Sequence, residues 1–189
     1  MTIMRLRSTI ARPADATAYA AGDEVSNSAT AASVVRATFD LTGFRQGRLL
    51  AAEIDLTAAS GNVVTTASDF EVLLFPTGLA PAAVGDNVTN PIAAATRIKA
   101  AGAFVFSNAG WTGPLGTVAA GTSQWQGVSA HYVQPDATPV LHQSHPGGYL
   151  FSTADWSTLT LTAVLRALAA WTPTAVVNTF GITLVIDAE

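Results

Sequence analysis

From Thr158 to Ala167 the sequence alternates one for one. Leu159, Leu161, Ala163, Leu165 and Ala167 fall on one parity, and Thr158, Thr160, Thr162, Val164 and Arg166 on the other. The pattern returns near the end, where Phe180, Ile182, Leu184 and Ile186 alternate with Gly181, Thr183, Val185 and Asp187. Successive side chains of an extended strand point to opposite faces, so a period of two describes strands with one buried face. Alanine and leucine also favour helices, which leaves a helical alternative over 159–170. The β-branched threonines favour the strand. Trp171-Thr172-Pro173 turns the chain between the two stretches, and the second ties the end of the sequence into a sheet.

Upstream the same reading gives more strands. Val35, Ala37, Phe39 and Leu41 alternate with Val34, Arg36, Thr38 and Asp40. A tight connection follows, Gly43-Phe44-Arg45-Gln46-Gly47. Beyond it Leu50, Ala52, Ile54 and Leu56 share a parity, with Glu53 and Asp55 on the other. These two stretches read as an antiparallel pair. Phe70-Glu71-Val72-Leu73-Leu74-Phe75 is almost continuously apolar and stops at Pro76. Such a strand is expected to be central and covered on both faces. Residues 76–95 form a long connection rich in residues that favour turns. A short helix or a strand over 92–101, a strand at Ala103-Phe104-Val105-Phe106 and another from Gln124 to Val133 follow. Residues 1–12 suit an extended arm or a first edge strand. Residues 13–32 are small and polar with no 3.6-residue stripe, and read as a surface loop. The expectation is an all-β fold: an antiparallel, jelly-roll-like β-sandwich over 33–189, preceded by an N-terminal arm and loop over 1–32.

At 189 residues the chain has the length of one domain, or one domain with an arm. Only 12% of its residues are charged, against about 25% in ordinary soluble domains. Either much of the surface is hidden in a permanent assembly, or Thr, Ser, Asn and Gln supply the polarity instead. The net charge is -4, with a single lysine, Lys99. That balance lacks the basic footprint of a nucleic-acid partner. There is no cysteine, which excludes disulfides, cysteine-based metal sites and a thiol nucleophile. No run approaches the roughly 20 apolar residues of a spanning helix. Arg5, Arg7 and Arg12 interrupt any secretory signal, so synthesis in the cytoplasm and no membrane partner are expected.

Candidate chemical sites are sparse. His142 and His145 form an H-x-x-H pair, and with His131 they make three possible metal ligands. On a loop leading to Pro146-Gly147-Gly148 nothing forces them together, so polar loop residues are the simpler reading. Asp86, Asn87 and Asn90 lack the spaced carboxylates of a calcium loop and suit a turn that bonds its own backbone. Asp23-Glu24 suits a solvated turn better than an acid–base pair. There is no G-x-S-x-G elbow, P-loop or dinucleotide fingerprint. Trp111, Trp125, Trp156 and Trp171 would make a sugar-stacking platform if coplanar and exposed, but more often such residues cap a core or sit at an interface.

Three segments carry a family resemblance. The first is Arg12-Pro13-Ala14-Asp15 with Tyr19-Ala20-Ala21-Gly22-Asp23-Glu24-Val25. The second is Phe70-Glu71-Val72-Leu73-Leu74-Phe75-Pro76 followed by Asp86-Asn87. The third is Trp171-Thr172-Pro173 leading to Phe180-Gly181-Ile182-Thr183-Leu184-Val185-Ile186. In this order they resemble head decoration (cement) proteins and related virion proteins of tailed bacteriophages. The resemblance implies a non-enzymatic β-sandwich without cofactor. It would bind the major capsid protein on the capsid exterior, commonly as a homotrimer, and stabilise the head. The residues expected to contact the capsid or a neighbouring subunit are Arg5, Arg7, Arg12 and Tyr19 in the arm, with Trp111 and Trp125 near loops. The chain departs from the pattern in having no obvious receptor-binding or immunoglobulin-like addition. A tail or baseplate component, or a glycan-binding module for host attachment, is the alternative.

Overall fold

A computed structural model of the protein describes residues 2–44, 47–58, 68–76, 78–97, 99–107, 111–112, 124–127, 149–151 and 160–188; at 47–48, 111–112, 124–127 and 149–151 it describes the backbone alone. In chain order the strands are β1 (Thr2–Arg12), β2 (Asp23–Glu24), β3 (Thr38–Asp40), β4 (Gly47–Ala58), β5 (Phe70–Pro76) and β6 (Val88–Thr89). After the short helix α1 (Ala94–Arg97) come β7 (Gly102–Phe106), β8 (Trp111–Thr112), β9 (Gln124–Gly127), β10 (Tyr149–Phe151), β11 (Thr160–Ala167) and β12 (Asn178–Ala188). They form two six-stranded antiparallel sheets, so the expected all-β sandwich is the architecture of the chain. The first sheet runs β1-β12-β4-β9-β8, with β10 also on β4. The second runs β6-β2-β11-β5-β7, with β3 also on β11.

The alternations decide which side chains meet between the sheets. Phe180, Ile182, Leu184 and Ile186 of β12 are buried, as are Leu161, Ala163, Leu165 and Ala167 of β11. With Phe70, Val72 and Leu74 of β5 they belong to one continuous core. The opposite parity of β5 is covered as well. Leu73 and Phe75, with Val164 and Ala103, form a second apolar cluster beneath Ala80, Ile92 and Ala100. The segment from Ala80 to Ala100 is thus a strap over the outer face of the second sheet. It explains why β5 is apolar on both parities, as the sequence suggested.

Four expectations are corrected. Residues 2–12 are not an arm: β1 is an edge strand paired with β12 from Thr2↔Ala188 to Arg12↔Asn178. Its inward parity, with Ile10 buried and Met4 and Leu6 packed on the core, holds it there. Residues 13–32 continue into the second sheet through β2, so no boundary falls at 32. The pairing expected between residues 33–41 and 48–56 does not form. Of the first stretch only β3 is a strand, and it pairs with β11 while β4 pairs with β12. The glycine-flanked connection therefore crosses between sheets instead of closing a hairpin. Finally, the register of β4 shifts opposite Val185/Ile186. This bulge buries Leu49 and leaves Leu50 exposed, since one extra residue flips every side chain beyond it.

Candidate functional site

Arginine and carboxylate side chains are placed in two different settings. On the outer face of the first sheet, Arg5 and Arg7 of β1 reach diagonally across β12 to Glu53 and Asp55 of β4. The hydrogen bond that Arg7 donates to Asp55 is the main reason its guanidinium is held above its ordinary pKa. Gly181 makes this crossing possible, because a Cβ there would collide with the Arg7 guanidinium. Arg5 and Arg7 themselves stay at least half exposed, at 59% and 50% of their side-chain surface. They remain candidates for contact with a subunit.

Arg12 and Tyr19 do not. Both are buried at one end of the sandwich, so neither is available as the surface contact expected of it. Arg12 is the last residue of β1 and lies on its inward parity. Its Nε donates to the Tyr19 hydroxyl at 3.0 Å, and its Nη2 donates to the backbone and side-chain oxygens of Asp15 at 3.0 and 2.9 Å. The guanidinium also lies over the rings of Tyr19 and Trp171, 5.6 and 5.9 Å from their centroids. Cation–π attraction of this kind grows when the cation is desolvated. Tyr19 in turn donates to Asp86 Oδ1 at 2.6 Å, and the Ser26 amide donates to the same oxygen at 2.8 Å. Tyr19 and Trp171 also form an isolated backbone bridge.

The titration of this cluster follows from burial. Burial first, and then the hydrogen bond to Asp86, push the Tyr19 hydroxyl far above its usual range, so it stays a proton donor. Burial also raises the Asp86 carboxyl above its ordinary value, against the opposing influence of Ser26, Tyr19 and Arg12. The turn expected at Asp86-Asn87 exists, with Asn87 at a left-handed φ of 56°. Asparagine tolerates that conformation better than most residues. Asp86, however, serves the backbone of Ser26 rather than its own turn.

A second set of ties fastens the strap. Glu24, expected in a solvated turn, is buried along with Asp23. Arg36 donates to both Glu24 oxygens at 2.7 and 2.8 Å and to the carbonyl of Ala82 at 3.3 Å. Asn90 donates to Glu24 at 2.6 Å, and Thr89 to Asp23 at 2.7 Å. Glu71, on the outer parity of β5, accepts from Arg97 of α1 and lies 3.6 Å from Arg166 of β11. Every carboxylate in these two clusters is thus engaged by a guanidinium, amide or hydroxyl. Chemically they are ties between segments distant in sequence. Sequence reasoning missed them because each joins residues that carry no local pattern, such as Tyr19 and Asp86.

Among the described residues no group of three or more His, Asp or Glu is placed to hold a metal ion. His131, His142, His145 and Trp156 lie outside the described residues. Trp111 is on β8, in register with Gly127, and Trp125 is on β9, in register with Leu56; their side chains also lie outside what is described. No helix among the described residues is long and apolar enough to cross a membrane. The chain matches no known family model and no curated protein.

Proposed function

We propose that the protein is a structural component of a tailed-phage head, a decoration protein that stabilises the shell without catalysis. It binds the major capsid protein on the capsid exterior as a homotrimer. One observation carries the reading: the polar chemistry of the described chain serves bracing. β1, β12 and β4 are zipped over eleven residues on each side of β12. The buried Arg12–Tyr19–Asp86 and Arg36–Glu24–Asn90 ties then clamp the loops at their positions. A part that must hold its shape under load benefits from such bracing.

The mechanism is mechanical. Packed DNA presses the shell outward and tends to open the joints between capsomers. A trimer lying across a joint adds buried contact that must be broken before the joint opens. A contact of about 1,600 Å² suffices for specific attachment, and three subunits acting together multiply it through avidity. Among the described side chains Arg5 and Arg7 are the contact candidates left at the surface, and subunit contact suits them because their guanidinium groups are half exposed. The test is to incubate purified protein with undecorated shells and image the particles. Added density at regular positions on the outside supports the reading. Bare shells at saturating protein overturn it.

A further inference from the structure

Gly181 lies inside β12, the strand between β1 and β4. A glycine there is unfavourable. It has no side chain to pack and more backbone freedom to lose, so it weakens a strand interior. Its backbone does not require glycine either, because the described glycines with left-handed φ are Gly22, Gly78 and Gly85. The place of its missing Cβ is taken by the Arg7 guanidinium. Arg7 stands opposite Thr183 and leans two residues along β12, over Gly181, to Asp55, which is the partner of Gly181 on β4.

The ion pair alone does not offset the glycine. Arg7 is half exposed, and pairs of that kind contribute little to stability because water competes for both partners. What the arrangement changes is the face. With Arg7 laid on Asp55 and Arg5 on Glu53, two positive and two negative groups cancel in place. Thr183, between the two crossings, is left 8% exposed. Asp187, on the same parity, is buried and adds almost no accessible charge. Ile3, in register with Asp187, adds an apolar side chain that is 68% exposed. The face is thus level and internally neutral, although the chain carries a net charge of -4. Copies of an acidic chain repel one another, and a balanced face is where they meet with least repulsion.

We propose that Gly181 is the positioning residue of the subunit contact: it lets Arg7 lie flat across β12 onto Asp55, so that a neighbouring copy of the chain can cover the face of β1, β12 and β4. This rests on the homotrimer reading above. A side chain at 181 would lift the guanidinium off Asp55. Arg7 would then stand out from the face as a cation without its carboxylate, and Asp55 would remain as an anion without its guanidinium. Covering either one desolvates a charge that has no partner, which is strongly unfavourable. Gly181 acts on the contact through Arg7.

The test measures the mass of the full chain by light scattering over a concentration series up to 100 µM. Wild type should reach three times the 19.4 kDa of one chain. Gly181→Ala should assemble at least about tenfold more weakly. Its circular dichroism and its unfolding, read at concentrations where the chain is monomeric, should match wild type. The new methyl group meets only the far end of a flexible side chain, which can swing into water. The triple variant G181A/R7A/D55A removes both displaced charges and should regain wild-type assembly within about threefold. A merely structural glycine predicts the reverse: a less stable monomer, and no rescue by the two further substitutions. If wild type is trimeric and G181A assembles equally well, or if the triple variant stays as weak as G181A, the proposal is overturned while the trimer reading stands. A wild-type chain that stays monomeric at 100 µM overturns the trimer reading and the proposal with it.

Discussion

The outer faces of the two sheets use the same chemistry in opposite ways. On the first sheet, Arg5–Glu53 and Arg7–Asp55 lie over strands with their guanidinium groups open to water. On the second, Glu24 and Glu71 are nearly inaccessible beneath the strap, with Arg36 and Arg97 closing over them. Exposed ion pairs contribute about 0–1 kcal/mol because water competes for both partners. A buried pair is different. Forming it brings little net gain, but removing one partner leaves a desolvated charge with nothing to balance it. Position, rather than residue type, decides whether an arginine holds the fold together or merely decorates it.

The sharpest way to break this comparison is Arg12→Ala. Burial without its guanidinium leaves Asp86, Asp15 and the Tyr19 oxygen short of a partner, and urea unfolding should show a loss of about 3–5 kcal/mol. A loss under about 1 kcal/mol would erase the distinction between the buried and open sets. Next is Phe75→Ala, which empties the apolar cluster that seats the strap. It should lower stability by about 3 kcal/mol and make the chain between Pro81 and Asn90 newly sensitive to limited proteolysis. Equal resistance to cleavage would mean that the polar ties alone hold the strap.

A smaller effect is expected with pH. Burial raises the Asp86 carboxyl above the ordinary 3.8. The folded protein thus binds this proton more tightly than the unfolded chain does. The associated stability is full below about 3.8 and is lost as pH rises through the raised value. Asp86→Asn removes this titration while keeping an acceptor for Ser26 and Tyr19. In unfolding measured stepwise from pH 3.5 to 7, wild type should fall relative to Asp86→Asn as pH rises, and parallel curves would contradict the direction. The smallest effect belongs to the open face. Arg5→Ala should change stability by less than about 1 kcal/mol, and 0.5 M salt should reduce even that.

Regular strands buried by alternation are legible in the sequence itself. β11, β12 and the doubly covered β5 follow directly from which residues are apolar. β1 was legible in part: Met4, Leu6 and Ile10 alternate with Arg5, Arg7 and Thr9, but the arginines obscured a parity carried by few large side chains. The bulge at Leu49-Leu50 was hidden because either leucine satisfies the pattern. The sheet change after β3 was hidden because neighbouring strands usually pair. The buried ties were the least legible. Nothing near Arg12 announces that its partner Asp86 arrives 74 residues later, and a polar side chain reads as exposed until the group that satisfies it is found. The surface candidates divide accordingly: Arg5 and Arg7 stand exposed on edge strand β1 rather than in an arm, while Arg12 and Tyr19 are inside.

The position of β12 has a consequence for the order of assembly. It is the strand between β1 and β4, yet it is the last of the three to be made. During synthesis β1 emerges first and then waits while the intervening chain is added, on the order of ten seconds at 5–20 residues per second. Until β12 arrives, the inward parities of β1 and β4 have no middle strand to complete their sheet. The first sheet therefore closes as a late, single event, and its folding should be slow and dominated by contacts between distant parts of the chain.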